Sequence, residues 1–126
     1  MQSSLQYLIF DLLDTDETSR TWGAMASVAP ERVSAVLAEA TGLLVWAREQ
    51  FGTDALALDD GGEWDAWVQI QADQAEPCTL DWHKLAKTPV QTFPPGTRWV
   101  TIALTLTASG HLAEAMQQHL DTVNPA

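Results

Sequence analysis

The sequence predicts an α+β domain: a two-layer sandwich with a four-stranded, mostly antiparallel sheet and two helices on one face, in the order ββαββα. Three observations predict it. Short runs rich in aromatic and branched residues have the alternating or two-faced apolar patterns of strands. Two longer stretches repeat apolar residues at three- and four-residue steps, the period of a helix with one buried stripe. And two segments, GAMASVAPERVSAVLAEATGLL from Gly23 and IALTLTASGHLAEAMQQHLDTV from Ile102, each pass from the first pattern to the second.

The first strand is expected at Leu5 to Leu13. Leu8, Phe10 and Leu12 fall on one side of it; Leu5, Tyr7, Ile9 and Leu13 fall on the other, so it reads as covered on both faces. The polar DTDETSR stretch turns the chain into a second strand, Thr21 to Val28, paired with the first as a hairpin. Pro30 suits a helix's first turn because its missing N–H is not needed there, and Glu31 suits the positive end of the helix dipole. Val33, Val36, Leu37, Ala40, Leu44, Ala47 and Phe51 then form a stripe, which predicts a helix over 30–51 that ends at Gly52. Gly42 marks a kink in that helix or a close contact with the sheet.

Trp64 to Asp73 alternates, with Trp64, Ala66, Val68, Ile70 and Ala72 facing the core and Asp65, Trp67, Gln69 and Gln71 facing away. The stretch RWVTIALTLTA alternates more sharply: Val100, Ile102, Leu104 and Leu106 oppose Trp99, Thr101, Ala103, Thr105 and Thr107. Ser109 is expected to cap a second helix with the stripe Leu112, Ala115, Met116, His119, Leu120 and Val123. Setting Pro30 against Ser109 aligns Val33 with Leu112 and Met25 with Leu104, as a duplicated ββα unit would. The alternative is that any hairpin-plus-helix pair aligns this well.

Residues 1–126 are expected to form a single domain, with an insertion at about 74–97. Within that insertion Thr79 is placed to cap a short helix over LDWHKLAK, and Pro89, Pro94 and Pro95 favour extended chain. It reads either as a cover for the sheet's second face or as a flap that touches a ligand.

Composition excludes several classes. Seventeen acidic residues face six basic ones, a net charge of -11 with no basic run, so nucleic acid is not an expected partner and an anionic membrane surface is disfavoured. No apolar run approaches the ~18 residues of a membrane span, and MQSSLQYLIFDLLD lacks the basic start of a signal peptide. With Cys78 as the one cysteine, the expectation is a cytoplasmic protein without an internal disulfide. The acidic charge favours a basic protein partner, or serves solubility alone.

Catalytic motifs are sparse. DDGGEW lacks the lysine and spacing of a phosphate loop, and there is no G-x-S-x-G elbow. Cys78 has His83 and His111 as conceivable bases but no supporting motif. His111 and His119 stand eight apart, not the four of a metal pair. The carboxylate groups Asp59, Asp60, Glu63, Asp65 and Asp11, Asp14, Asp16, Glu17 match no calcium-loop spacing. No cofactor, metal site or catalytic residue is therefore assigned.

Six tryptophans in 126 residues are the unusual feature. Trp46 and Trp64 fit the core, whereas Trp67 and Trp99 alternate out of it, and exposed tryptophan marks interfaces and grooves. The candidate binding residues are Trp67, Trp82, Trp99 and Tyr7. The leading expectation is a non-catalytic interaction protein that self-associates, for instance as a homodimer, or binds a protein partner through the Trp-bearing sheet face. The alternative is a small-molecule binder with a pocket between sheet and insertion lined by Trp67, Trp82 and Trp99. An enzyme using the carboxylate groups comes third.

The motifs YLIFD (Tyr7 to Asp11), AMASV (ending Met25 to Val28), Trp64–Asp65 and VTIALTLT (Val100 to Thr107) resemble those of a group of small uncharacterised bacterial proteins with YLxFD, AMASV and VTLTLT-like motifs. The resemblance skips the insertion and implies a single folded domain, with no activity attached.

Overall fold

The stretch with the strictest alternation, Val100–Ser109, is the central strand of the sheet. Its core-facing residues Val100, Ile102, Leu104, Leu106 and Ala108 are all fully buried. A computed structural model describes residues 5–16, 18–52, 63–73, 75–80, 93 and 95–124. They form β1 (Asp11–Thr15), β2 (Ser19–Val28), α1 (Val33–Phe51), β3 (Trp64–Ala72), β4 (Cys78–Leu80), β5 (Val100–Ser109) and α2 (Gly110–Val123). The five strands make one sheet in the order β1-β2-β5-β3-β4, antiparallel at every pairing. Both helices pack on one face. Between the layers lie Trp22, Ala24 and Ala26 of β2, Trp64, Val68 and Ile70 of β3, Val36, Ala40, Leu43, Leu44 and Ala47 of α1, and Leu112, Met116 and Leu120 of α2.

The α+β class and the two helices follow the sequence pattern; four details differ. The sheet has a fifth strand, β4, at the start of the expected insertion. Thr79 is thus a strand residue opposite Gln69, not a helix cap, and the rest of the expected LDWHKLAK helix lies outside the described residues. The helix predicted from Pro30 begins as a 3-10 turn, Pro30–Arg32, before α1, and α1 runs unbroken through an exposed Gly42. Gly52 closes it in the left-handed region (φ 74°), its N–H donating to the Arg48 carbonyl. Ser109 precedes α2, but its hydroxyl donates to the Glu63 carbonyl, 3.0 Å away, rather than to the helix.

With β4 set aside, the order β1-β2-β5-β3 is symmetric about the β2–β5 pair, as two hairpin-plus-helix halves would make it. The residue alignment expected for a duplication does not hold in the strands. Met25 is exposed on the outer face, while Leu104, its expected counterpart, is buried. The paired neighbour of Leu104 on the core side is Ala24. A shift of one residue turns a strand's side chains to the opposite face, so the two halves are out of phase before their helices.

The largest departure is at the N-terminus. The first strand is Asp11–Thr15, not Leu5–Leu13. Leu5 to Phe10 spend their backbone donors on the helices. The Glu39 carboxylate of α1 accepts the N–H groups of Gln6 (2.6 Å), Tyr7 (3.1 Å) and Leu8 (3.1 Å). Asn124, just past α2, reads both polar groups of Phe10: its Oδ1 accepts the N–H at 2.9 Å and its Nδ2 donates to the carbonyl at 3.0 Å. The Leu5 N–H donates to the Val123 carbonyl at 2.7 Å. Held this way, the segment sinks Leu5, Leu8 and Phe10 into the core.

Glu39→Ala removes the acceptor for three backbone donors and is expected to cost about 1–3 kcal/mol, since bonds to a charged acceptor are worth more than neutral ones. Urea unfolding of the variant checks this. An unchanged midpoint would mean that water serves those donors equally well.

Candidate functional site: the open face of the sheet

The face of the sheet away from the helices carries the odd-numbered residues of the three long strands. Rows of directly paired residues cross it. Trp67, Thr105 and Gly23 form one row, continued by Asp11 on β1. Gln69, Ala103 and Met25 form the next, with Thr79 of β4 beyond Gln69. Gln71, Thr101 and Ser27 form a third. Asp65, Thr107 and Thr21 form the fourth, continued by Asp14. Two rows are tied by hydroxyl pairs, Ser27 to Thr101 at 2.7 Å and Thr21 to Thr107 at 3.3 Å.

This face is apolar where it stands proudest. Met25 is 66% exposed, Leu13 62% and Trp67 56%. Leu13 occupies the irregularity in the β1–β2 pairing and leans onto Gly23: a Cβ built on that glycine would lie 2.6 Å from the Leu13 Cδ1. The glycine thus provides a bare backbone floor on which a leucine lies flat. The face is also poor in charge. Of the outward residues on the three long strands β2, β5 and β3, Asp65 alone is ionisable, and Asp11 and Asp14 of β1 end two of the rows. In a chain with 17 carboxylate side chains, that depletion distinguishes this surface, as it does the buried centres of protein interfaces.

Of the four predicted binding residues, the three that are described do not meet. Trp67 lies mid-face on β3. Trp99 precedes β5 and is half exposed, with the Arg98 guanidinium 5.2 Å from its ring centre and the Arg98 N–H on the Asp73 carboxylate at 3.0 Å. Trp67 is level with Thr105, six residues along β5 from Trp99, so about 20 Å separates the two at ~3.3 Å per residue. They share a face but do not wall one small-molecule pocket together. Tyr7 is held by Glu39 in the helix layer, half-buried against the core, and so is not part of this face. Trp82 lies outside the described residues.

Sequence reading overlooked Leu13 and Met25 as surface groups and Trp22 as a core group. The alternation of β2 carried the signal: Trp22, Ala24 and Ala26 share one face, Gly23 and Met25 the other. Trp22 is fully buried, and its indole N–H donates to Gln117 Oε1 of α2 at 2.7 Å. Trp46 stacks flat on His119, 3.6 Å between ring centres, and Phe51 bridges edge-on from Trp46 to Trp64.

Among the described residues, the two carboxylate groups and Cys78 with His111 are kept apart. Asp14 and Asp65 sit at opposite ends of one row, three strand spacings or about 14 Å apart, beyond the roughly 5–10 Å over which two carboxylates act on one bond. Asp59, Asp60 and Glu17 lie outside the described residues. Cys78 is level with Ile102, whereas His111 lies past the far end of β5, so some 23 Å of strand separates them. His83 lies outside the described residues, and among those described no three His, Cys, Asp or Glu side chains are placed to hold a metal ion. No described helix is long and apolar enough to cross a membrane.

Among the described residues, two groups have shifted proton affinity. Asp16 Oδ1 accepts the N–H groups of Thr18 and Ser19, both at 2.7 Å, and these bonds hold its pKa below 3.8. Burial against Trp46 lowers that of His119 below 6.5. In both the folded state binds the proton less well than the unfolded chain, so stability rises with pH across the window. The His119 contribution is fully present above 6.5 and is lost as pH falls through the lowered folded value. Melting temperature is therefore expected to fall between pH 7 and pH 5, with a flatter profile in His119→Gln. Equal slopes for both proteins would remove His119 as the cause.

No family model, curated protein or solved structure matches this chain.

Proposed function

We propose that this chain is a non-catalytic interaction protein that self-associates through the open face of its sheet. The observation that carries the reading is the pairing of exposure with composition: Leu13, Met25 and Trp67 project from a face whose three long strands carry one ionisable outward residue, Asp65, on an otherwise acidic molecule. A contiguous surface of that kind is costly to leave in water.

Its size supports a second copy as the occupant. Five strands about 4.8 Å apart and up to ten residues long make a planar footprint on the order of 600 Å², which side-chain relief brings near the ~800 Å² per partner of a standard interface. The sheet edges support it by contrast. β1 presents an irregular, fully exposed edge with Asp11 and Asp14, and β4 is three residues long; both are devices that oppose edge-to-edge pairing. Association is left to the face.

Light scattering on the purified chain tests the reading. A species of twice 13.8 kDa is expected at micromolar concentration. A strict monomer across the accessible range would remove self-association. A monomer that instead takes up a basic protein would reassign the face to such a partner.

A further inference from the structure

Resting on that self-association, we infer the symmetry of the pair: a two-fold axis lying between the two sheets and running along β5, so that β3 of each copy packs over β2 of the other. Each choice of axis brings different residues together.

A face-to-face pair must use a two-fold axis in the plane between the sheets, because an isologous interface presents the same patch from both sides. An axis across the strands would lay each strand over its own copy. With the axis midway along the rows, the Trp67 row would lie over the partner's Gln69 row and the Asp65 row over its Gln71 row, so the indole would meet a glutamine amide rather than an apolar group.

An axis along β5 exchanges the two sides of the sheet and keeps each row level. The β1 side of the sheet then lies over the partner's β4 side. Along the rows, Trp67 meets Gly23, Gln69 meets Met25, Gln71 meets Ser27 and Asp65 meets Thr21. Each row makes a usable pair. The Trp67 indole lands on the exposed Leu13 side chain, which fills the space over Gly23. The Asp65 carboxylate meets a threonine hydroxyl, and the Gln71 amide meets a serine hydroxyl. The largest knob on the face and the glycine that Leu13 covers are in the same row, on opposite sides of β5. Only the axis along β5 brings them together.

The test is single-site crosslinking of the full chain in a Cys78→Ser background, which removes the exposed native thiol. Under this symmetry every outward residue of β5 faces its own copy. Thr101→Cys and Thr107→Cys should each, alone, be joined into a covalent dimer by a bismaleimide spanning about 10 Å, the spacing of packed sheets. Glu49→Cys, exposed on α1, should not. A dimer by light scattering in which neither β5 variant crosslinks alone, but a mixture of the two does, would establish the axis across the strands. That overturns the arrangement and leaves self-association standing. A monomer by light scattering overturns both.

Discussion

Trp67→Ala is expected to convert the dimer to a folded monomer at micromolar concentration. The indole is 56% exposed in the single chain and sits mid-face, where desolvation on association is most complete. Truncating a central aromatic anchor of this kind costs about 2–4 kcal/mol, which is roughly 30- to 1000-fold in Kd. The fold should survive. The side chain points away from the core, and β3 keeps its apolar face of Trp64, Val68, Ile70 and Ala72. Sedimentation velocity and circular dichroism on the same samples separate the two effects: a halved mass with unchanged melting is the expected result. Trp99→Ala should weaken association less, because that ring lies at the end of the face under Arg98. If both variants keep the parent mass, the tryptophan-bearing face is not the interface.

Trp22→Ala is expected to have the largest effect on stability, about 3–5 kcal/mol, as for other large buried aromatics. That is a large share of the roughly 5–15 kcal/mol that holds a domain of this size. Two contributions are lost together. The ring fills space between β2 and α2, and its N–H satisfies Gln117, whose Nε2 in turn donates to Asp121 at 3.0 Å. Trp22→Phe separates them. It keeps most of the apolar volume and leaves Gln117 without its donor, an expected cost of about 1–2 kcal/mol. Chemical denaturation of both variants gives the ordering. A Phe variant as unstable as the Ala variant would place the weight on the hydrogen bond, and one as stable as the parent would place it on volume alone.

Different physical causes made parts of this molecule legible and hid others. The helices α1 and α2, and the strands β3 and β5, follow from local period. A buried stripe or alternating face is written into consecutive residues, so Val33 to Phe51 and Val100 to Ser109 need no partner to be recognised. The outward turn of Trp67 belongs to the same class: it follows from alternation with Trp64, Val68 and Ile70. Its exposure does not, because alternation gives a side chain's direction and not what lies over it.

Tertiary partners decided the rest. Leu5 to Phe10 has the composition of a strand, but its backbone donors are claimed by Glu39 and Asn124, side chains more than 30 and 110 residues away. That choice removes Tyr7 from the sheet face and moves β1 to Asp11–Thr15. β4 is too short to show a period, and exists because Cys78 to Leu80 pair with the edge of β3. The phase difference between β2 and β5 was likewise invisible in an alignment of residue types, because it depends on which neighbour each strand pairs with. Sequence alone determined the fold class, the helices and the acidic, tryptophan-rich character of the chain. Only the tertiary structure decided that Leu13, Gly23, Met25 and Trp67 meet on one face, since strand register brings together residues that no local pattern relates.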